Sequence, residues 1–562
     1  MASRSLGLLL LLLLSGCAAG LQRFPLKEPM ARDDDQRPVK REPKEYYSPL
    51  IWDAVDQTVF RPITRFFAVD AGGEAINVNA LDEVPDSSWF QNRIASGDVE
   101  TLTRGPCELP PLDPDKGFTV VGAKPNGANP GFTVEVDGKK YMMKFEHWRQ
   151  AERATSADVM GSRIYHAAGF NGPCNRVVFF RRDQLKIKPG VTGKDATGKK
   201  VKITPEVIAE MLKNVSRTAD GRYRASVSLF LEGKPLGPFR FHGTRKDDPN
   251  DVVPHEDRRE LRASKLLAAW ISHFDAREQN SLDMWIEVPG GGIVRHHFLD
   301  WGDCFGSLVT KGRLAPRIGH TYYLHFGHIL ADLISFGVPQ RPWDGARFGP
   351  AGAIWGYFNI EDFVPDAWLA GYPNPAFNRM TEHDAAWMAR IMAHFSDELV
   401  RSIMEEARIQ NPVSRRELLR TLLGRRDKIL RRYLGSLSAL AKPRLVQGDA
   451  GQELCLEDLA VRARIAERGG RQYGARAWSG PRLQSVPMGE ARLDGELGVC
   501  VSLPRGQGAT IAAPVYLIVD VDSHSPRLGR LVPARVHLYD LGGGQYRVVG
   551  LERPSRGTAP RA

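Results

Sequence analysis

Two short segments of the chain alternate apolar and polar positions with the period of a half-buried strand: Phe132-Thr133-Val134-Glu135-Val136 and Tyr141-Met142-Met143-Lys144-Phe145. Between them lies Asp137-Gly138-Lys139-Lys140, an Asp-Gly signal for a tight hairpin. The period then changes. Ala154 to Ala168 repeats apolar residues at helical spacing and stops at Gly169. Glu256 to Phe274 reads as a strong amphipathic helix. Residues 319–338 are apolar but carry His320, His325, His328 and Asp332, which predicts a buried helix rather than a membrane span. Two more helices are expected over about 382–408 and 415–440, the second opened by the capping box Ser414-Arg415-Arg416-Glu417. After Pro443 the pattern turns to short β-like runs such as Val515-Tyr516-Leu517-Ile518-Val519. No internal repeat is visible. The expected fold class is α+β.

At 562 residues the chain is too long for one compact domain, and two or three are expected. Hydrophobic residues make up 42% and charged residues 25%, which excludes a disordered, collagen-like or polytopic membrane protein. The formal charge of +11 is modest for this length. It is compatible with anionic membranes or phosphorylated ligands, and no zinc-finger spacing or RNA-binding aromatic signature accompanies it, so nucleic acid is not expected. The predicted organisation is a signal peptide over 1–16, a charged, Pro-containing tether over 17–48 and an aromatic-rich N-terminal extension over 49–110. A main domain over 111–442 and a β-rich domain over 443–562 follow.

The N-terminus bears on compartment. Arg4 precedes seven consecutive leucines, Leu8 to Leu14, a run far shorter than a membrane span and typical of an export signal. The exit, Leu14-Ser15-Gly16-Cys17, resembles the bacterial lipobox. That resemblance implies cleavage before Cys17, acylation of its thiol and a firm hold on a membrane through several acyl chains. It implies a cell-envelope protein. In a Gram-negative cell, Ala18 rather than Asp after the cysteine points to the outer membrane. Five other cysteines remain, and an exported chain permits disulfides. Cys455 with Cys500 is the first pairing to consider and Cys107 with Cys174 the second, although spacing alone proves neither.

Four pieces carry candidate chemistry. Gly122 to Gly131 is a Gly/Asn/Pro-rich loop between two β-like runs, and glycines let backbone N–H groups approach phosphates. Lys144 sits on an otherwise apolar strand. His273-Phe274-Asp275 is followed at Asn280 by an amide five residues on, at a helix end. There, Asp suits proton acceptance and Asn suits a metal ion. Phe298-Leu299-Asp300-Trp301-Gly302-Asp303 ends an apolar strand, where a carboxylate reaches a phosphate-held magnesium. No Gly-x-Ser-x-Gly elbow occurs, and a hydrolase using Asp300 and Asp303 has no motif behind it. The histidines at 320, 325 and 328 lack a zinc pattern, and Cys304 reads as a small core residue.

The order of Lys144, His273-Phe274-Asp275…Asn280 and Asp300-Trp301-Gly302 resembles that of the protein-kinase-like fold. It is closer to the atypical branch, which includes spore-coat, secretory-pathway, HipA-type and phosphoinositide kinases. Val84-Pro85-Asp86-Ser87-Ser88-Trp89-Phe90 and Gly371-Tyr372-Pro373-Asn374-Pro375-Ala376-Phe377 look like stretches of bacterial lipoproteins of this kinase-like type. The resemblance covers roughly 117–400 and implies a two-lobed domain. By it, Gly127 and Gly131 would cover the phosphates of ATP or another nucleotide, and Lys144 would bind them with Glu152 or Asp158 as its acidic partner. Asp275 would be the catalytic base, with Asn280 and Asp300 holding Mg²⁺. Phe274 stands where ordinary kinases carry Arg, and no Ala-Pro-Glu follows. The implied activity is phosphotransfer to a hydroxyl of a protein, glycan or lipid; the alternative is an inactive pseudokinase acting as an envelope scaffold. The sequence leaves the acceptor and the oligomeric state open.

Overall fold

The structure is a computed structural model that describes residues 21–27, 34–47, 52, 55–61, 63–64, 72–95, 97–123, 130–194, 200–306, 315–338, 340–350, 352–448, 451–505, 508–554 and 560. It is mixed α+β and divides into two compact units. The larger holds the described residues of Arg32–Val78 and Val84–Tyr433. The smaller holds those of Met1–Ala31, Asn79–Glu83 and Leu434–Ala562. Among the described residues no helix is long and apolar enough to cross a membrane.

In the larger unit a five-residue π-helix (Asp56–Phe60) precedes α1 (Val99–Arg104), whose N-cap Asp98 accepts from the Thr101 N–H. Next come β1 (Phe118–Ala123), β2 (Gly131–Val136) and β3 (Lys139–Phe145). The β2–β3 turn has Asp137 and Gly138 both at positive φ (49° and 71°), the geometry that the Asp-Gly pair favours. After β3 runs α2 (Arg153–Ala167). It is followed by β4 (Asn175–Phe180), β5 (Leu185–Ile187) and a small hairpin of β6 (Thr192–Lys194) and β7 (Lys200–Lys202). Then come α3 (Pro205–Leu212) and β8 (Tyr223–Leu229). One sheet runs β4-β8-β3-β2-β1-β5, so β3 is central. Its inward side chains, Phe118, Phe132, Val134, Met143, Phe145, Phe180 and Ala225 among them, form a buried apolar core.

The chain continues through β9 (Lys234–Gly237) to α4 (Arg259–Ile271) and then to a hairpin of β10 (Ser281–Val288) and β11 (Gly291–Phe298). These strands form the sheet β11-β10-β9. The hairpin pairs Ser281 with Phe298, which returns the chain to its own starting point. Among the described residues five α-helices of this unit follow: α5 (Phe326–Ser335), α6 (Pro375–Asn378), α7 (Glu382–Met392), α8 (Asp397–Glu406) and α9 (Pro412–Tyr433).

Several expectations are corrected here. The helix within 319–338 is short, and none of its residues is buried; Leu333, Ile334 and Phe336 are exposed. Apolar composition predicted burial, but the described residues that reach it, Thr321, Arg341 and Trp343, meet its polar positions His328 and Asp332 and leave the apolar ones exposed. The helix expected over 382–408 breaks at 393–396, where the Ser396 hydroxyl caps α8. The helix expected from 415 starts earlier. Asn411, not Ser414, accepts from the first free N–H groups, those of Val413 and Ser414.

The segment expected as a tether also differs in its described parts. Residues 34–47 lie along the larger unit: buried Asp35 accepts from the Ser88 N–H and hydroxyl, and Val39 bridges Gly292. In the extension, Trp89 stacks on His296 at 3.4 Å.

The smaller unit starts at Leu434, ahead of the expected boundary, and recruits N-terminal chain. Phe24 is buried against Trp478, Tyr516, Ile518 and Val549. The Arg553 guanidinium meets Asp82 at 2.5 Å. The unit opens with β12 (Leu440–Gly448) and β13 (Gly451–Asp458), then the short α10 (Leu459–Arg462). After these come β14 (Gln472–Ser479), β15 (Gln484–Val486), β16 (Arg492–Asp494) and β17 (Gly498–Ser502). The last strands are β18 (Val515–Ser525), β19 (Gly529–Arg530), β20 (Ala534–Gly542) and β21 (Gln545–Glu552). One sheet is β12-β13-β17-β16; the other is β15-β14-β18-β20-β21, with β19 on β18. Leu454, Leu456, Val499 and Val501 share an apolar core with Val519, Val521, Val536 and Leu538. Disulfides join Cys107 to Cys174 and Cys455 to Cys500, and Cys304 is free and buried.

Gly161 is among the glycines that are sterically required. A Cβ at Gly161 of α2 would lie 2.3 Å from Cβ and Cγ of the fully buried Trp301. Gly161→Ala should therefore destabilise the protein by about 1–3 kcal/mol through overpacking. Gly345→Ala, where no atom lies within 4 Å of the new Cβ, should be close to neutral. Denaturant unfolding of the two variants checks the contrast.

Candidate functional site

Strand β3 carries Lys144 into the centre of the first sheet. Its neighbours in register are Gly131 on β2 and Ser226 on β8. Directly opposed residues share a sheet face, so Gly131 leaves the face beside Lys144 free of a side chain. The Lys144 ammonium lies 3.4 Å from Asp158 Oδ1 and 3.0 Å from Asp300 Oδ1. Burial works against its charge, but Asp158 and then Asp300 outweigh that and hold it above the ordinary lysine range. Asp158 is itself buried on α2, and its Oδ2 accepts from the Ser226 hydroxyl at 3.0 Å.

The start of α2 has an unusual cap. Glu152, at the N-cap, is in the left-handed region (φ 69°) and makes no side-chain cap. Buried Glu146 does that work instead, accepting from the N–H groups of Glu152 (2.6 Å) and Thr155 (2.9 Å). Glu152 thus does not pair with Lys144; its carboxylate accepts from the backbone N–H groups of Gln410 and Asn411. Of the two acids that the sequence left open, Asp158 is the one at the lysine.

Helix α4 ends at Ile271. Ser272 turns into the left-handed region (φ 55°), and the His273 N–H returns to the Ala268 carbonyl at 2.8 Å. This turn presents Asp275. Asn280 Nδ2 donates to both the carbonyl (2.8 Å) and Oδ2 (3.0 Å) of Asp275, and Arg277 Nε lies 2.9 Å from Asp275 Oδ1. The β10–β11 hairpin then brings the 300-loop back: the Leu299 N–H donates to the Asn280 carbonyl at 2.9 Å. Asp300 adopts φ 56°, which aspartate tolerates better than most residues, as its carboxylate meets Lys144. Asp303 Oδ2 accepts the Asp275 N–H at 3.1 Å, tying the two loops together.

The electrostatics are uneven. Burial, and next the charge of Asp303, push the Asp275 carboxyl up to about 7, against Arg277, the Asn280 hydrogen bond and His273. Burial, and next Asp300, likewise push Asp303 up to about 7. Burial pulls His273 down to about 4, so its ring is neutral near pH 7.

Lys144, Asp158, Asp275, Asn280, Asp300 and Gly131 thus come together from β2, β3, α2, the turn after α4 and the end of β11. Gly127 and Cys17 lie outside the described residues. The partners that sequence reasoning did not assign are Ser226, Arg277 and Glu146. Arg277 had a signal, a cation two residues after Asp275; Ser226 and Glu146 had none beyond a polar position in an apolar strand or next to one.

No protein-family model matches the chain, and no curated protein matches it. Among solved structures it is similar to a Helicobacter pylori proinflammatory kinase, CtkA, at 10% sequence identity, covering 58% of this chain and 96% of that one, with a TM-score of 0.29. A likeness at that level does not define the fold.

Lys144→Met leaves Asp158 buried without its cation, which should cost about 3–5 kcal/mol. Adding Asp158→Asn removes the stranded charge, so the double variant should be more stable than the single one. A double-mutant cycle by chemical denaturation reads the sign.

Proposed function

We propose that the larger unit is an atypical, kinase-like phosphotransferase domain, two-lobed, with the site between a Lys144-bearing sheet and the loops after α4 and β11. The observation that carries this reading is the convergence at Lys144. One acid comes from the next helix and one from a strand end 156 residues away, beside an Asp–Asn pair held by a direct hydrogen bond.

The donors present fit a magnesium nucleotide. Asn280 commits its Nδ2 to Asp275, which leaves Oδ1 as the acceptor atom of its amide, and the Asp300 side chain is 43% exposed. Both offer the hard oxygen atoms that magnesium prefers. Bound there, the ion would neutralise charge on phosphate oxygens. Lys144 binds and orients the phosphates, and Asp158 keeps the ammonium charged and aimed. Asp275 accepts the proton of the acceptor hydroxyl as that oxygen bonds to the γ-phosphorus and the bond to the β–γ bridging oxygen breaks. Asn280 and Arg277 hold the Asp275 carboxylate for that task. The acceptor class is a hydroxyl of a protein, glycan or lipid.

Export and lipid anchoring belong to the same proposal. They are supported by the leucine run and by Leu14-Ser15-Gly16-Cys17, with the acyl chains on Cys17 holding the protein to a cell-envelope membrane. Mass spectrometry of the N-terminal peptide from membranes should find acylated Cys17, and Cys17→Ser should release the protein to the soluble fraction.

Calorimetric titration with ATP tests the nucleotide site. Binding should require Mg²⁺ and be lost in Asp300→Ala. Asp275→Asn should retain binding and lose about 10²–10⁴-fold in transfer rate. No binding by folded protein, with GTP and Mn²⁺ also tried, overturns the reading; binding without transfer to any hydroxyl acceptor would favour a nucleotide-binding scaffold.

The pH profile follows from the Asp275 shift. A carboxyl raised to about 7 is protonated below that pH and cannot accept a proton, so transfer should rise with pH through about 7. Asp303→Asn removes the charge that helps raise it, so the acidic limb should move to lower pH.

A further inference from the structure

We propose that His273, Asp303 and Cys304 form a binding site for one borderline-soft divalent cation of the zinc class, separate from the hard-oxygen pair Asn280 and Asp300. One ligand atom from each residue lies within 4.8 Å of the others. Ligand bonds of about 2.0–2.3 Å place neighbouring ligands of a tetrahedral ion roughly 3.3–3.8 Å apart, so the three can close on one centre with small side-chain movements.

The hydrogen bonding shows which atoms are already engaged. His273 Nδ1 is engaged by the Tyr165 hydroxyl at 3.2 Å, and Asp303 Oδ2 by the Asp275 N–H at 3.1 Å. Their other atoms, His273 Nε2 and Asp303 Oδ1, face each other at 3.8 Å. That is too long for a hydrogen bond, and neither atom makes one of normal geometry among the described residues, although the Asp300 carbonyl also faces the His273 ring. An outer partner on the far nitrogen is the usual arrangement for a metal-bound imidazole, because it sets ring orientation and tautomer. Cys304 adds a free, fully buried sulfur.

A sulfur, an imidazole nitrogen and a single carboxylate oxygen select zinc or cobalt(II) over magnesium. Binding exchanges the thiol proton, released to solvent, for a sulfur–metal bond. The neighbouring Arg153 guanidinium donates to the Gly306 carbonyl at 2.7 Å and opposes a second cation, so the site needs both Asp303 and the Cys304 thiolate. A cation here would clamp the His273–Asp275 turn to the Asp300–Cys304 loop. Its role is positional, and it does not depend on whether the protein transfers phosphate.

Cobalt(II) is the probe. The full-length protein, stripped with a chelator and returned to buffer with excess Mg²⁺, should bind one equivalent of Co²⁺. It should show a near-ultraviolet thiolate-to-cobalt absorption band that Zn²⁺ abolishes. Cys304→Ser should lose the band while Cys17→Ser keeps it. Asp303→Asn, which retains an acceptor for the Asp275 N–H, should weaken Co²⁺ binding more than tenfold. Asp300→Ala should keep the band, so failure of the magnesium-nucleotide reading and failure of this one are told apart. Folded wild-type protein without the band, or a band unchanged in Cys304→Ser, overturns the proposal. If Cys304→Ser does not fold, wild type and Asp303→Asn alone decide: equal Co²⁺ affinity in the two overturns it.

Discussion

A single buried ammonium organises the larger unit. Lys144 lies on the central strand of a sheet, where desolvation works against its charge. Two carboxylates reverse that, and they come from different parts of the chain. Asp158 is fourteen residues on, across the sheet–helix boundary, and Asp300 is 156 residues on, at a strand end. Satisfying the charge therefore sets the rotation of α2 on the sheet and the return point of the β10–β11 hairpin together. Breaking a buried pair costs more than never having made it, which makes the arrangement stringent.

The surrounding packing holds these two constraints. Trp301, next to Asp300, fills the space left by Gly161 on α2, so the helix bearing one carboxylate packs against the loop bearing the other. Glu146 caps the start of α2, and Arg224 reaches Thr155 and Ser156 in the same first turn. Glu152, displaced from the lysine, instead ties the helix start to the backbone ahead of α9. Beside the site, Asp275 and Asp303 are two carboxyls joined through one backbone hydrogen bond in a setting that raises both. Their environment suits proton acceptance near neutral pH more than permanent charge.

Local signals in the sequence determined local outcomes. Asp137-Gly138 forms the expected turn because both positions need positive φ, which those residues tolerate. The alternation around Lys144 placed it on a strand, and the mixed α+β class followed from periodicity. The helix after Pro412 was visible, but its start was not, because Asn411 and Ser414 are both capable caps and only the fold chose between them. The order of Lys144, Asp275, Asn280 and Asp300 was legible because the lysine interrupts an apolar strand and the other three sit in short motifs at element ends.

What the sequence could not contain was anything that depends on which distant surfaces meet. Glu152 and Asp158 are equivalent candidates on paper; helix rotation and the capping role of Glu146 separate them. The segment over 17–48 reads as charged and Pro-containing, yet Asp35 and Val39 find partners on the larger unit and Phe24 a socket in the smaller, because burial depends on the receiving surface. The apolar helix α5 erred in the opposite direction: composition states what a face prefers, and only the tertiary structure states what lies against it. Hydrophobic period and turn chemistry are properties of neighbouring residues and can be read along the chain. Ion pairing, capping by remote side chains and the convergence of His273, Asp303 and Cys304 are properties of distance in space, which only the fold decides.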